Sequence, residues 1–157
     1  MIIRDYDTLF RDKEFIIRLA RGLNDAPEAE QIRIMVFMME QGFRNEFDEM
    51  DPTAIHLLVM DRYVPIATGR IYQKPDAEKT AILGRIAVVQ SRRHEGLGSL
   101  VIRELESYAK DKGFERIELS AQERVKDFYR SLGYVQEGGI YYDEYCPHIM
   151  MRKILKP

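Results

Sequence analysis

A strand-like run, a turn with two glycines and a helical pattern follow one another between residues 81 and 113. Residues 81–89 (AILGRIAVV) are apolar and rich in β-branched side chains, as expected for a buried strand. From Leu97 onward, apolar side chains recur with a period close to 3.6 residues, and Gly113 is suited to end that helix. The sequence therefore predicts a helix that begins directly after a strand and a short turn.

The remaining periodicity predicts more strands and helices within a single domain, residues 1–157. Residues 1–13 have no clear period and are predicted only as a lead-in. The other expected elements, in chain order, are a strand at 15–19, a helix from Pro27 to Gly42, an exposed loop at 43–52, strands at 55–60 and 66–72 that form an antiparallel meander with 81–89, a strand at 117–119, a helix at 125–132 and a final hairpin of 134–142 and 149–155.

Charge and composition exclude several kinds of partner and site. Lys and Arg (24) nearly balance Asp and Glu (26), so we expect no nucleic-acid or membrane partner, and any anion site must be local. The lone Cys146 cannot form a disulfide within the chain, and three scattered histidines lack the spacing of metal ligands. No segment approaches the roughly 18 apolar residues of a membrane span. We therefore expect a cytoplasmic protein without a metal.

The turn that precedes the helix is suited to bind a phosphate. At a helix start the backbone N–H groups lack partners, and the helix dipole adds about half a positive charge. Gly96 and Gly98 lack the Cβ atoms that would hold a pyrophosphate away from those N–H groups. Arg92 and Arg93 can add positive charge. The spacing matches neither the dinucleotide-binding fingerprint nor a P-loop, so the turn alone does not identify the ligand.

This turn resembles the R/Q-x-x-G-x-G/A signature of the GNAT superfamily of acyltransferases, which cradles the pyrophosphate of coenzyme A (CoA). The resemblance implies the GNAT fold: an α/β (in stricter terms α+β) architecture with a mixed, mostly antiparallel sheet of six to seven strands flanked by helices. It also implies that the turn contacts CoA through Arg93, His94, Glu95, Gly96, Leu97, Gly98 and Ser99.

The strand before the turn is similar to the family's β4 strand, whose backbone groups bind the pantetheine arm of CoA. By resemblance, these groups belong here to Ile86, Ala87 and Val88. A backbone N–H near Val88 would polarise the thioester carbonyl, where charge develops during acyl transfer.

A second motif, FYRSLGY at residues 128–134, resembles the family's F-Y-x-x-x-G-F/Y. It implies that Tyr129 protonates the departing thiolate, which suits a phenol of pKa about 10 and a thiol of pKa about 8.5. It also implies contacts to CoA from Phe128 and from Gln122, which stands where the family commonly has asparagine. Without the first motif, we would interpret Tyr129 as an aromatic core residue of an amphipathic helix.

Further motifs resemble the small ElaA-like bacterial branch of the superfamily. They are VFMMEQG at 36–42, FDEMD at 47–51, His56-Leu57-Leu58 and PHIMM at 147–151. Together the resemblances cover about residues 30–152. They imply acetyl transfer from acetyl-CoA, a cosubstrate, to the amine of a small molecule or peptide, by direct attack in a ternary complex.

The base that deprotonates the amine is left open by the sequence. An alkyl ammonium of pKa about 10.4 is mostly charged at pH 7, so a proton has to be removed before attack. The candidates are Glu40, Glu46, Asp48, Glu49, Asp51, Glu144 and His148. The acidic loop at 43–52 is also expected to attract a cationic amine. We expect His56 to be a hydrogen-bonded core histidine, and nothing favours Cys146 as a nucleophile.

Two alternative functions remain open. The first is a non-catalytic sensor that binds acyl-CoA, because Gln122 and Val125 depart from the family pattern. The second is an acyl-homoserine-lactone-type synthase. The acyl donor of such synthases is usually carried on a protein, so the pyrophosphate turn argues against this function. A homodimer through the last hairpin is also left open.

Overall fold

The computed structural model describes residues 1–156. The strands are β1 Ile2–Phe10, β2 Lys13–Arg21, β3 Ile55–Asp61, β4 Val64–Gln73, β5 Thr80–Val88, β6 Arg116–Gln122, β7 Val135–Asp143 and β8 Cys146–Ile154. The helices are α1 Pro27–Arg33, which continues as a π-helical segment Ile34–Glu40, α2 Leu97–Asp111 and α3 Lys126–Ser131. None of the helices within residues 1–156 is both long and apolar enough to cross a membrane.

The strands form a mixed, mostly antiparallel sheet in the order β1-β2-β3-β4-β5-β6-β8-β7, which confirms the predicted fold class with eight strands in place of six to seven. The chain divides into two compact units. The first unit contains residues 1–72 and 85–105, and the second contains residues 73–84 and the described chain from Glu106 onward. We still propose a single domain, because β5 and α2 each run without interruption from one unit into the other.

Residues 1–13 form a strand and a tight turn, so the prediction of a lead-in is wrong. β1 pairs antiparallel with β2. In the turn between them Arg11 and Asp12 have φ angles of 51° and 65°, the two left-handed residues of a type I′ hairpin turn. None of the β1 side chains is buried, because β1 lies at the edge of the sheet. The alternation in this edge strand is weak, because Tyr6, Thr8 and Phe10 are only partly buried and Leu9 on the other face is apolar and exposed. Arg-Asp also lacks the usual Asn-Gly signal.

The helix predicted from Pro27 to Gly42 is confirmed, but its second half is wound more widely than an α-helix. Pro27 occupies the first turn, where a missing backbone N–H is harmless. The N–H of Gln41 donates to the carbonyl of Val36, five residues back, at 3.1 Å, as in a π-helix. Gly42 then takes a φ of 80°, which ends the helix.

In the first unit, α2 packs closely on the sheet at Gly69 of β4. A Cβ built on Gly69 would lie 2.6 Å from Cγ1 of Val101, 2.8 Å from Cδ1 of Ile86 and 2.9 Å from Cδ1 of Leu105. Even alanine would clash at this position, so glycine is what allows the helix to approach. The predicted meander of β3, β4 and β5 and the predicted helix α2 are both confirmed.

In the second unit, β6 is paired on both sides. Its first residues pair in parallel with Thr80–Ile82 of β5, and its whole length pairs antiparallel with β8. The predicted final hairpin is confirmed as β7 and β8. Its turn is shorter than expected, so Cys146 and His148 lie inside β8.

Candidate active site

The carboxyl end of β5 carries the three strand residues that resemblance assigns to the pantetheine arm. Ala87 is buried, whereas Ile86 and Val88 are partly exposed. The carbonyl oxygen of Val88 accepts hydrogen bonds from Nε and Nη2 of Arg93 at 3.1 and 3.0 Å. Because that carbonyl is already engaged, any contact of Val88 with a ligand has to use its N–H.

The turn after β5 leads into α2 through two residues in the left-handed region. His94 and Gly96 have φ angles of 72° and 79°. Leu97 begins α2 and is buried, while His94 and Glu95 are exposed. Gly98 and Ser99 lie in the first helical turn, so the unpaired N–H groups of the helix start belong to this segment. The structure thus brings all seven predicted turn residues together at the start of a 15-residue helix.

The two arginines expected to add positive charge at the turn are held by carboxylates. Arg92 donates to Glu95 at 2.7 and 2.9 Å and pairs with Asp61 at 3.0 Å. Arg93 donates to the carboxylate of Glu40 at 2.5 and 2.8 Å. The expectation that both arginines add positive charge is therefore wrong, because Glu95 in the turn and Asp61 and Glu40 from other parts of the fold neutralise them.

A third arginine, which the sequence did not reveal, lies over the turn. A Cβ built on Gly96 would stand 2.5 Å from Cζ of Arg11 and 2.7 Å from both of its Nη atoms. Arg11 comes from the turn between β1 and β2 and is exposed. No motif links two residues so far apart in sequence, so only the fold could bring them together.

A buried ionic network holds the loop after the first helical segment, and we call it the Arg33 network. Its members are Arg33, Glu46, Asp48, Asp51, Arg70 and Arg85. Arg33, 1% exposed, donates to Glu46 at 2.8 Å and to Asp51 at 2.7 Å. Arg70, 3% exposed, donates to Asp48 at 2.7 Å and to Asp51 at 3.0 Å. Burial opposes ionisation of Asp51, but hydrogen bonds from Arg33 and from the N–H of Asp48 outweigh it and lower the pKa of Asp51 to about 2.

The Arg33 network contradicts the prediction of an exposed loop for Glu46 and Asp51, and it pairs three of the four carboxylates that were expected to attract an amine. Glu46 and Asp51 are each 5% exposed, and Asp48 is bound by Arg70. Hydrogen bonds from the arginines help to lower the pKa of Asp48 and Asp51, which makes both poor general bases. Burial raises the pKa of Glu46, but hydrogen bonds and ion pairs with Arg33 and Arg85 occupy its carboxylate. The sequence could not predict these ion pairs, because the arginines come from α1, β4 and β5. Glu49 is the carboxylate of this loop that is exposed.

Arg85 connects the Arg33 network to β5. Its φ is 55°, a left-handed conformation that costs a non-glycine residue about 1–3 kcal/mol. Its Nε and Nη2 donate to the carbonyl of Glu46 at 3.1 and 2.9 Å, and its Nε lies 2.9 Å from Oε2 of the same residue. These bonds offset the strain and fix the strand immediately before Ile86.

His56 on β3 lies beside the network and is confirmed as a hydrogen-bonded core histidine. It is 1% exposed, and its Nε2 donates to the carbonyl of Asp51 at 2.9 Å. Within residues 1–156, Nδ1 of His56 has no hydrogen-bond partner. Burial is the main cause that lowers the pKa of His56, and the charges of Arg33 and Arg70 act in the same direction. The ring is therefore held neutral.

We expect the stability of the protein to fall as the pH is lowered below about 6.5, the pKa of an unfolded histidine. In that range the unfolded state binds a proton that the folded state rejects at His56, so the free energy of unfolding decreases by up to about 1.4 kcal/mol per pH unit. Urea unfolding at pH 7, 6 and 5 measures this slope. His56→Gln should flatten it, whereas His94→Gln, on the exposed turn, should not; equal slopes for the wild type and His56→Gln would contradict the assignment.

In the second unit, Phe128 and Tyr129 lie on α3. The rings of Phe128 and Tyr129 meet edge to face at a centroid distance of 5.1 Å, and Tyr129 meets Tyr134 in the same way at 5.9 Å. Burial raises the pKa of the Tyr129 hydroxyl to about 12. The hydroxyl therefore stays protonated throughout the physiological pH range and keeps a proton to donate.

The other predicted residues of this unit lie on strands β6 and β8 or in the last hairpin turn. Gln122 ends β6 opposite His148 of β8, and its Oε1 accepts a bond from Arg124 at 3.0 Å. Nδ1 of His148 lies 3.0 Å from the carbonyl oxygen of Cys146. Burial raises the pKa of the Cys146 thiol, which disfavours the thiolate and agrees with the rejection of a cysteine nucleophile. Glu144 is exposed in the turn.

Comparisons with known proteins agree with this architecture. The family model described as the acetyltransferase (GNAT) family matches residues 20–134. An uncharacterized N-acetyltransferase of Bacillus subtilis, YjcF, is 32% identical over 138 residues, which cover 86% of this chain and 96% of YjcF. An acyl-CoA N-acyltransferase from Pseudomonas aeruginosa has a TM-score of 0.77 at 25% identity, covering 87% and 97% of the two chains.

Two structures of lower identity share the fold. Escherichia coli ElaA has a TM-score of 0.76 at 23% identity and covers 98% of this chain and 99% of its own. BjaI, a CoA-dependent acyl-homoserine lactone synthase, has a TM-score of 0.74 at 16% identity, covering 88% and 82%. On the family model and the identity to YjcF, the chain belongs to the GNAT family of acetyltransferases.

Proposed function

We propose that this protein acts in the cytoplasm as an N-acetyltransferase, moving an acetyl group from acetyl-CoA to an amine of a small molecule or peptide. The observation that carries the proposal is the turn from β5 into α2, where Gly96 adopts a φ of 79° beneath a guanidinium. A helix start with unpaired N–H groups and a nearby cation fits a diphosphate. The fold shared with an acyl-CoA N-acyltransferase supports CoA as the carrier of the acyl group.

Different residues are proposed to bind the different parts of acetyl-CoA. We assign the pyrophosphate to the N–H groups of residues 94–99, in the turn that Arg93 begins, and the pantetheine arm to the backbone of Ile86, Ala87 and Val88. The N–H of Arg93 itself donates to the carbonyl of Gln90 at 3.4 Å. Gln122 and Phe128 are assigned further contacts with CoA. The N–H of Val88 is the proposed donor to the thioester carbonyl, and it would stabilise the negative charge that develops on oxygen during attack.

In the proposed reaction, the nitrogen of the neutral amine attacks the thioester carbonyl, the new C–N bond forms and the C–S bond breaks. The sulfur departs as a thiolate and accepts a hydrogen bond or a proton from Tyr129. The proton lost by the amine goes to a base, for which Glu49, Glu144 and His148 remain candidates, directly or through water. The products are the acetylated amine and free CoA.

The turn is tested by removing the glycine that shapes it. Gly96→Ala places a Cβ on a residue with a φ of 79°, against Arg11, and we expect it to weaken CoA binding by about tenfold or more, equivalent to about 1.4 kcal/mol. Gly113→Ala is the matched control, because Gly113 has a φ of 84° and its added Cβ would meet no atom within 4 Å. Calorimetric titration with CoA measures both variants.

Turnover is tested by the release of free thiol from acetyl-CoA with a panel of amines. Thiol release that depends on an amine supports the transferase. Tight binding of CoA without thiol release for any amine would support the sensor instead. If the wild type gave no heat of binding with CoA, or if Gly96→Ala bound CoA as Gly113→Ala does, the assignment of the turn would be wrong.

A further inference from the structure

Arg11 stands at the phosphate turn without a carboxylate partner. Its guanidinium lies over Gly96, close enough that a single methyl group on Gly96 would overlap it. Arg92 and Arg93 flank the same turn but are paired with Asp61, Glu95 and Glu40. Among the ion pairs found within residues 1–156, none includes Arg11. Of the three guanidinium groups, Arg11 is the one whose charge is available to a ligand.

The position of Arg11 is electrostatically unfavourable unless an anion binds beside it. The start of α2 carries the positive end of the helix dipole, and a cation at that end of a helix is repelled. A diphosphate would be attracted by both the guanidinium and the unpaired N–H groups. The same arrangement that is unfavourable in the free protein therefore becomes favourable when a phosphate is present.

The hairpin that carries Arg11 is anchored to α2, and this anchoring fixes the position of Arg11 over the turn. The ring of Phe10 contacts two guanidinium groups, with Cζ of Arg11 at 5.2 Å and Cζ of Arg103 at 5.3 Å from its centroid. Nη2 of Arg103, on α2, donates to Oγ1 of Thr8 at 3.1 Å and to the carbonyl of Leu9 at 3.4 Å. These contacts tie the end of β1 to the helix whose first turn Arg11 covers.

We propose that Arg11 binds the pyrophosphate of CoA, so that the N-terminal hairpin supplies the cation of a site whose N–H groups come from the turn. The inference rests on the proposed function, since it names a further residue of the same site. The planar guanidinium can donate two parallel hydrogen bonds to phosphate oxygens. In this proposal Arg11 recognises the negative charge of the pyrophosphate, whereas other residues bind the acyl group and the amine.

The experiment compares Arg11→Asn with Arg62→Asn. Both arginines are exposed and start two-residue hairpin turns with φ angles of 51° and 49°, and asparagine tolerates that conformation. The two variants therefore lose the same charge from the same kind of turn. We expect Arg11→Asn to weaken CoA binding about 10- to 100-fold, as expected for hydrogen bonds to a charged group, and Arg62→Asn to change it less than about twofold. Arg11→Lys should fall between the wild type and Arg11→Asn.

Titrations with three ligands show which phosphate of CoA Arg11 contacts. CoA and 3′-dephospho-CoA should lose affinity by the same factor in Arg11→Asn, because both contain the pyrophosphate, and pantetheine should lose none. A loss confined to CoA would assign Arg11 to the 3′-phosphate and overturn the proposal. Equal affinities of Arg11→Asn and Arg62→Asn would overturn it while the proposed function stands, whereas a wild type that does not bind CoA would overturn both.

A double mutant tests the link to Gly96. If the Cβ of Gly96→Ala acts in part by displacing the guanidinium, Arg11→Asn should add less than its own factor when combined with Gly96→Ala. Fully multiplicative losses in CoA affinity would show that Arg11 and Gly96 act separately, and would contradict the placement of Arg11 over the turn.

Discussion

Replacing Arg33 with methionine is expected to lower the free energy of unfolding by about 3–5 kcal/mol, because it leaves buried carboxylates without their partner. Arg33 is 1% exposed and binds both Glu46 and Asp51, each of which is 5% exposed. Methionine fills a similar volume, so the loss would report the charge and the hydrogen bonds more than a cavity. For a chain of this length, the same change corresponds to a decrease in Tm of about 10 °C.

Arg130→Met is the control for this prediction. Arg130 also pairs with a carboxylate, that of Asp127, at 3.1 Å, but both side chains are exposed. An exposed pair of this kind contributes about 0–1 kcal/mol. Adding Glu46→Gln and Asp51→Asn to Arg33→Met should recover part of the lost stability, because those variants remove the unpaired charges. Equal urea midpoints for Arg33→Met and Arg130→Met would show that the Arg33 network does not stabilise the fold.

Tyr129→Phe is expected to lower kcat about 10²- to 10⁴-fold while the Kd for CoA stays within about twofold. The variant removes only the hydroxyl and keeps the ring between Phe128 and Tyr134. If the hydroxyl donates to the departing sulfur, its loss raises the barrier to C–S cleavage and has little effect on the bound ground state. Steady-state thiol release and calorimetry with CoA give the two numbers.

Tyr142→Phe and Tyr134→Phe separate this effect from packing. Tyr142 is exposed on β7 and should tolerate the change without effect. Tyr134 is buried, and its hydroxyl donates to Glu106 at 2.8 Å, so Tyr134→Phe should lose about 1 kcal/mol of stability. If Tyr129→Phe behaved like Tyr134→Phe, with less stability and unchanged kcat, Tyr129 would be a packing residue.

Local patterns predicted much of the fold. Pro27 and Gly42 marked the ends of the first helical segment, and the period of α2 was visible from Leu97 to Gly113 because that helix buries one continuous face. β1 was missed, since none of its side chains is fully buried and its apolar pattern is therefore weak. The π-helical winding of 34–40 was missed as well. It depends on whether each N–H donates to the carbonyl four or five residues back, and no residue type is specific to it.

The site shows a similar division. The turn residues could be predicted because they are contiguous and glycine is required at a φ of 79°. The electrostatics could not be predicted, because they depend on partners from distant strands: Glu40 neutralises Arg93, and Arg11 arrives from a hairpin about 85 residues earlier. Counting acidic residues at 43–52 suggested an amine trap, whereas the fold uses Glu46 and Asp51 as internal counter-ions.

The strained conformation of Arg85 has a consequence for sequence changes in the 43–52 segment. The side chain of Arg85 binds the carbonyl and the carboxylate of Glu46. It thereby holds in place the strand that is proposed to bind the thioester. Substitutions in the 43–52 segment that move Glu46 are therefore expected to shift this strand as well. Substitutions at the exposed Glu49 should leave the strand in place.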